Sequence, residues 1–207
     1  MLQARCSLIA LDPCELGQSV EFIAANVRPV VEKQTGNLGM CLFTNPELGM
    51  ALLESFWATR DALLRAELSE QADPPGYREA LRRASGTVWV DRYRVPVFEL
   101  DAPLGPAAQL RLTRMHIPPS RVDDFVAVYA ATEVPSLPDI EGFRCARLLV
   151  DKDCSHAITE VVWRDGRALA ASRSIAAAMR VSMAAATGCV IQGVEEYTFS
   201  FDSVRKP

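Results

Sequence analysis

Three residue types recur at one spacing in places where they could do chemistry. Glu54 and Glu160, Trp57 and Trp163, and Arg5 and Arg111 each stand 106 positions apart. A tryptophan at the end of a strand offers a wall for an aromatic substrate, or a core plug that fixes the following helix. A carboxylate three residues before it points to the opposite face of the strand. Buried there, it is either a catalytic acid or base or half of an ion pair, with Arg5 and Arg111 as the available partners. His116 is suited to proton transfer near neutral pH, but beside Pro118-Pro119 it also reads as a plain strand-end polar residue. The two histidines, His116 and His156, have no Cys or carboxylate at ligand spacing, which leaves a zinc site without support. The six cysteines form no CxxC pair and sit mostly in apolar segments, so they read as reduced, core-filling thiols. No GxSxG, GxGxxG, Walker loop or HExxH is present.

The elements that position these residues come from a duplication. A shift of 106 aligns residues 5–64 with 111–170 without a gap, pairing Pro13 with Pro119, Pro29 with Pro135 and Gly36 with Gly142. Beyond that the shift falls to 102, pairing Ala84-Ser85-Gly86 with Ala186-Thr187-Gly188. The extra residues of the first copy fall around Ala72-Asp73-Pro74-Pro75-Gly76. Each copy reads as β-α-β-β-α-β. In the first, the strands are 4–11, 38–44, 50–57 and 87–98; one helix covers 16–33, and a second starts near Thr59 or Asp61, breaks at Asp73-Pro74-Pro75-Gly76 and resumes over 77–84. The second copy repeats this with strands 110–117, 143–150, 157–163 and 189–201 and helices 122–132 and 167–186. Pro96 cannot donate to a ladder and marks an edge or bulge. The domains are expected at 1–98 and 109–207, joined by a linker at 99–108.

The strands are apolar on both alternating faces, as in Cys6, Leu8 and Ala10 against Ser7, Ile9 and Leu11. Helices cover one face, so the other needs a second sheet, for which the other copy is the candidate. The expected fold is α+β: two tandem ferredoxin-like units packed sheet to sheet as an internal pseudo-dimer. The chain is 207 residues long, 49% hydrophobic and 23% charged, enough for two cores of about 100 residues each. A net charge of −4 with interspersed signs lacks the field that nucleic acid requires. No apolar run approaches the roughly 18 residues that span a bilayer, and no signal peptide is read. A cytoplasmic protein with no nucleic-acid or membrane partner is expected, and a further homodimer of the fused pair is left open.

Two such units resemble the dimeric α/β-barrel superfamily, in particular antibiotic-biosynthesis-monooxygenase (ABM) domains. The resemblance is carried by Thr35-Gly36-Asn37-Leu38-Gly39-Met40 before the second strand and by Trp57-Ala58-Thr59-Arg60-Asp61-Ala62-Leu63, which recurs as Trp163-Arg164-Asp165-Gly166-Arg167-Ala168-Leu169. It covers nearly the whole chain, twice, and implies the fold more strongly than any activity. In the quinone-forming oxygenases of that family, a Trp works with an Asn four residues earlier, a Tyr six later and an Arg late in the second helix. Copy one places Leu53, Trp57, Leu63 and Arg78 there; copy two places Thr159, Trp163, Leu169 and Arg180. The haem-degrading branch uses a His in the second helix and an Asn on the first strand, and this chain has no His in either helix and Ser7 and Thr113 on the strands.

What the resemblance implies is a cofactor-independent monooxygenase acting on a hydrophobic, aromatic or polyketide-like small molecule. Arg78 would stabilise an anion and Trp57 would act beside it, in a pocket lined by Tyr77, Leu53, Leu63 and, in the other copy, Trp163. Arg78 also reads as a solvated helix charge beside Arg82 and Arg83. The missing Asn and Tyr keep a second function open, a non-catalytic protein that binds a hydrophobic ligand or partner. Isomerase or lyase chemistry fits the fold but has no residue-level support. One expectation is independent of the choice: thiol titration of the denatured, unreduced chain finds all six cysteines free, and fewer would reveal a disulfide.

Overall fold

A computed structural model describes residues 1–68, 84–151, 153 and 155–205. Tyr77, Arg78, Cys154, the resumed helix 77–83 and the Asp-Pro-Pro-Gly stretch lie outside the described residues. The described elements are β1 (Gln3–Leu11), α1 (Leu16–Phe22, then a π-helical turn Ile23–Val27, then Arg28–Glu32), β2 (Asn37–Asn45), β3 (Met50–Trp57), α2 (Arg60–Leu68) and β4 (Ala84–Leu100). They continue as β5 (Gln109–His116), α3 (Val122–Val128, a π turn Tyr129–Glu133, a 3₁₀ turn Val134–Ser136), β6 (Phe143–Asp151), β7 (His156–Trp163), α4 (Gly166–Ala171), α5 (Arg173–Thr187) and β8 (Val190–Asp202). This is an α+β chain of two tandem ferredoxin-like units.

The chain divides into two compact units, Met1–Tyr93 with Ser200–Pro207, and Arg94–Phe199. Hydrogen-bonded strands in the first run β4-β1-β3-β2, with the end of β8 beyond β2. In the second they run β8-β5-β7-β6, with the part of β4 after Tyr93 beyond β6. Counted within each unit, both orders are fourth-first-third-second, that of a ferredoxin-like unit. The described pairings are antiparallel, and Glu54 stands opposite Cys6 and Cys41 as Glu160 stands opposite Leu112 and Arg147. The β4–β6 register shifts between Arg94 and Val97, which brackets Pro96 as expected of a residue without an N–H.

Strand periodicity is legible to within a few residues, and three local features are not. β4 begins at Ala84 instead of Thr87. The first helix of each unit widens into a π turn just before Pro29 or Pro135. A proline removes an N–H and crowds the preceding turn, and a widened turn accommodates it. The helix read over 167–186 is interrupted at Ser172, whose hydroxyl is used by a buried arginine described below.

Both faces of the central strands are buried. The helix side holds Ile9, Leu42, Leu53 and Ile23 in the first unit and Met115, Leu148, Ala157 and Phe125 in the second. The other side holds Phe43, Leu52 and Phe56 in the first, and Leu110, Leu149 and Val162 in the second. Glu54 and Glu160 lie on this second face, away from the tryptophans, each fully buried. Their partners correct the expectation of Arg5 and Arg111. Cys6 and Cys41 donate from Sγ to the Glu54 carboxylate at 3.1 and 3.2 Å, and Arg147 Nη1 donates to Glu160 at 3.3 Å. The register explains why: Arg111 stands opposite Val161, on the helix side, whereas Arg147 stands directly opposite Glu160.

A duplicated glycine holds each second helix close. Gly36 and Gly142 both adopt φ +87°, and a Cβ on either would lie 2.6 or 2.4 Å from the Cβ of Ala62 or Ala168. Their carbonyls accept from the N–H groups of Ala58 and Arg164 at 2.8 and 2.7 Å, closing the corner after each tryptophan. Gly142→Ala is therefore expected to lower the urea-unfolding free energy by about 2–3 kcal/mol, through both the left-handed backbone and the clash.

Candidate functional site

The larger cleft lies in the second unit, between α3, α5 and the helix side of β5, β7 and β8. Its volume is about 60 Å³, against about 30 Å³ for the equivalent cavity of the first unit. By a measure in which one water needs roughly 10–15 Å³, the first figure admits a small ring at the floor of the cleft. Met115, Phe125, Leu137, Met179, Met183 and Ile191 make most of the lining apolar. A few polar groups are set into it, the composition of a small-molecule site.

Two arginines enter from different elements. Arg111 on β5 is 4% exposed and fully occupied. It donates to Ser172 Oγ at 2.7 Å, to the Leu169 carbonyl at 2.7 Å and to Glu196 at 3.0 Å. Glu196 also accepts from Arg173 at 3.0 Å. Burial works against the Glu196 charge, but the hydrogen bonds from Arg173 and Arg111 outweigh it, and its pKa lies below the usual carboxylate range. Arg180 on α5 is half-buried and has no hydrogen bond or ion pair among the described residues. Burial, and then the charge of Arg111, lower its pKa from the ordinary guanidinium value. A guanidinium stays charged under these pressures, so Arg180 presents an uncompensated cation to an apolar cleft.

The π turn of α3 adds two more groups, Tyr129 and Glu133, 5% and 6% exposed. The Tyr129 hydroxyl has no hydrogen-bond partner among the described residues, nor has Nε1 of Trp163, which is 1% exposed. Burial, with Glu133 next in effect, pushes the Tyr129 phenol far up. Burial likewise raises the Glu133 carboxyl. Orphaned buried donors are rare in folded proteins, and each calls for an explanation.

The described residues of the first unit fill the equivalent positions differently. There Trp57 Nε1 donates to Ser55 Oγ at 3.0 Å, whereas Val161 takes the position of Ser55 in the second unit and leaves Trp163 unanswered. Ile23 and Val27, 106 positions before Tyr129 and Glu133, are buried core residues. Trp57 and Leu53 line the smaller cavity, and Trp57 also packs with Ala62 and Leu63 as a plug. Leu63 belongs to that cluster and not to the cavity lining. Trp163 lines the larger cleft, edge-on to Phe143, together with Arg180, the counterpart of Arg78. Sequence reasoning missed Tyr129 and Glu133. Their signal is a contrast between the copies: apolar residues at two helix positions of one, ionisable residues at the same positions of the other.

No family model matches the chain. An uncharacterised protein of Mycobacterium tuberculosis (strain H37Rv), Rv2558, is 24% identical over 208 residues, covering all of this chain and 87% of its own length. A "putative monooxygenase" from Fusobacterium nucleatum superposes with a TM-score of 0.75 at 11% identity, covering 99% of this chain and 94% of its own. An anthrone oxidase-like protein superposes with a TM-score of 0.68 at 15% identity, covering 97% and 92%. The chain shares the fold of these monooxygenase-like proteins. At these identities the ABM-like likeness extends to the fold and no further. Among the described residues no three His, Cys, Asp or Glu side chains gather at metal-binding distance, and no helix is long and apolar enough to cross a membrane.

The raised Glu133 pKa has a consequence for stability. Between the ordinary glutamate range and the raised value, the folded chain holds a proton that the unfolded chain has released, so stability falls as pH rises through that interval. Glu133→Gln removes this slope. In urea unfolding the variant is expected to exceed the parent near neutral pH, with the difference closing in acid.

Proposed function

We propose that the chain is an ABM-like, cofactor-independent monooxygenase that oxidises a hydrophobic aromatic small molecule in the cleft of its second unit. The observation that carries this reading is Arg180: an unpaired cation in an apolar cleft, beside the orphaned donors of Trp163 and Tyr129. Such a cleft suits an aromatic body whose oxygen becomes anionic during reaction, because buried donors and a half-buried cation favour the anion over its neutral precursor. For an aryl methylene, CH₂ and O₂ give C=O and water, so the substrate supplies all the electrons and no separate reductant is needed. The anthrone oxidase-like protein among the structural neighbours supports an anthrone-type compound as the first probe. The protein acts as a soluble cytoplasmic enzyme on a small molecule, with no nucleic-acid or membrane partner.

A second reading is a non-catalytic protein that binds the same kind of ligand. Thr159 and Leu169, where the resemblance places an Asn and a Tyr, favour it. Oxygen uptake separates the two. The enzyme reading expects uptake with an anthrone-type substrate and a drop in kcat/KM of about 10²-fold for Arg180→Gln. Under this reading the Arg180→Gln loss exceeds that of Arg78→Gln, and the reverse order would move the working pocket to the first copy. Tight binding of the anthrone with no uptake would establish the non-catalytic reading.

A further inference from the structure

We propose that Glu133 is the proton acceptor of the second unit's cleft, taking the proton from an acidic hydroxyl of an aromatic ligand whose anion then faces Arg180. This inference rests on the ligand class proposed above and deepens it by assigning a base to the site.

Four observations support it. Glu133 lines the cleft and is 6% exposed, so ligand and carboxyl would meet away from bulk water. Its side chain has no hydrogen bond or ion pair among the described residues, so the carboxylate is not consumed by a structural role as Glu196 and Glu160 are. The fold does not need it, because Val27 occupies the equivalent turn of the first unit as a fully buried core residue. Finally, the cleft holds an opposite charge, Arg180, that makes no ion pair with Glu133.

The step balances within the cleft. The ligand O–H bond breaks, its proton bonds to a Glu133 oxygen, and the electron pair stays on the ligand oxygen. Glu133 becomes neutral as the ligand becomes anionic, so the total charge inside a poorly solvated space does not change. That conservation is the physical advantage of an internal acceptor over release of the proton to water. Burial raises the Glu133 pKa and makes it a stronger base than an exposed glutamate. The other charged or titratable groups around the cleft are Arg111 of β5 with its partner Glu196 of β8, Arg180 of α5, and Tyr129 of α3 itself. Behind Tyr129 lie Cys145 of β6 and Glu160 of β7, and Glu160 is neutralised by Arg147. None of these competes as an acceptor on the cleft side.

The test uses 4-nitrophenol, whose phenolate absorbs in the visible, with the full-length chain at a pH below the ionisation range of the free phenol. The parent is expected to bind it as the phenolate and to release no proton to the medium, read by calorimetry in two buffers of different ionisation heat. For Glu133→Gln the phenolate band either disappears or appears only with a proton released, and affinity at that pH falls about tenfold or more. Glu133→Val, which copies the first unit, gives the same result and guards against a misfolded glutamine variant. If the parent binds the phenol in its neutral form, or if both variants match the parent in band and proton count, Glu133 is not the acceptor, while the ligand reading stands. If the parent does not bind nitrophenol, or if Ala176→Trp in the cleft wall leaves binding unchanged, both readings fall.

Discussion

The structure follows from central strands that are dry on both sides. A strand with one wet face can carry polar residues at every second position. Here both sets of positions are withdrawn from water, so each polar side chain among them needs a partner or a purpose. On the face away from the helices the solution is lateral. Glu160 meets Arg147 from the next strand, and Glu54 accepts from two thiols, one on each neighbouring strand. Breaking such a pair from one side would leave a buried charge, which is far costlier than the pair itself is beneficial. On the helix face lie Ser7 and Ser55 in one unit and Arg111 and Thr113 in the other, and there the two units part ways.

The duplication makes that divergence readable. Both units keep the same corner after the tryptophan, the same glycine pressed against the same alanine, and the same π turn before the same proline. In the first unit these produce a small cavity in which Trp57 is answered by Ser55 and the π turn is apolar. In the second, a valine replaces the serine, and a tyrosine and a glutamate replace the isoleucine and valine. The result is a cleft with two orphaned donors, an unpaired carboxyl and an unpaired guanidinium. A core optimised for stability alone would keep none of these. The described residues of the first unit show that the backbone itself does not require them.

Arg111 and Arg180 illustrate how neighbouring charges of one kind take different roles. Arg111 is held by Ser172, the Leu169 carbonyl and Glu196, and the interruption between α4 and α5 at Ser172 supplies two of those three contacts. Its position is fixed and its charge is countered. Arg180 receives the repulsion of Arg111 without a carboxylate of its own. A cation without a carboxylate of its own in an apolar cleft is well matched to an anionic ligand.

The sequence by itself determined the duplication, the order and approximate limits of eight strands, the corner tryptophans, and the buried carboxylates on the face away from them. These follow from period-two alternation and from residues such as Gly36 and Gly142 that recur at one spacing, both local properties of the chain. It pointed first to the pocket of the first copy, because Arg78 and Trp57 stand there at the family's spacing. Only the tertiary structure decided which arginine meets which carboxylate, since strand register sets that and Arg111 lies one residue, hence one face, away from the position opposite Glu160. Only the tertiary structure, too, brought Tyr129 and Glu133 to Trp163 and Arg180. Those four come from three elements spread over 52 positions, and an orphaned donor is defined by what surrounds it in space, which no spacing along the chain records.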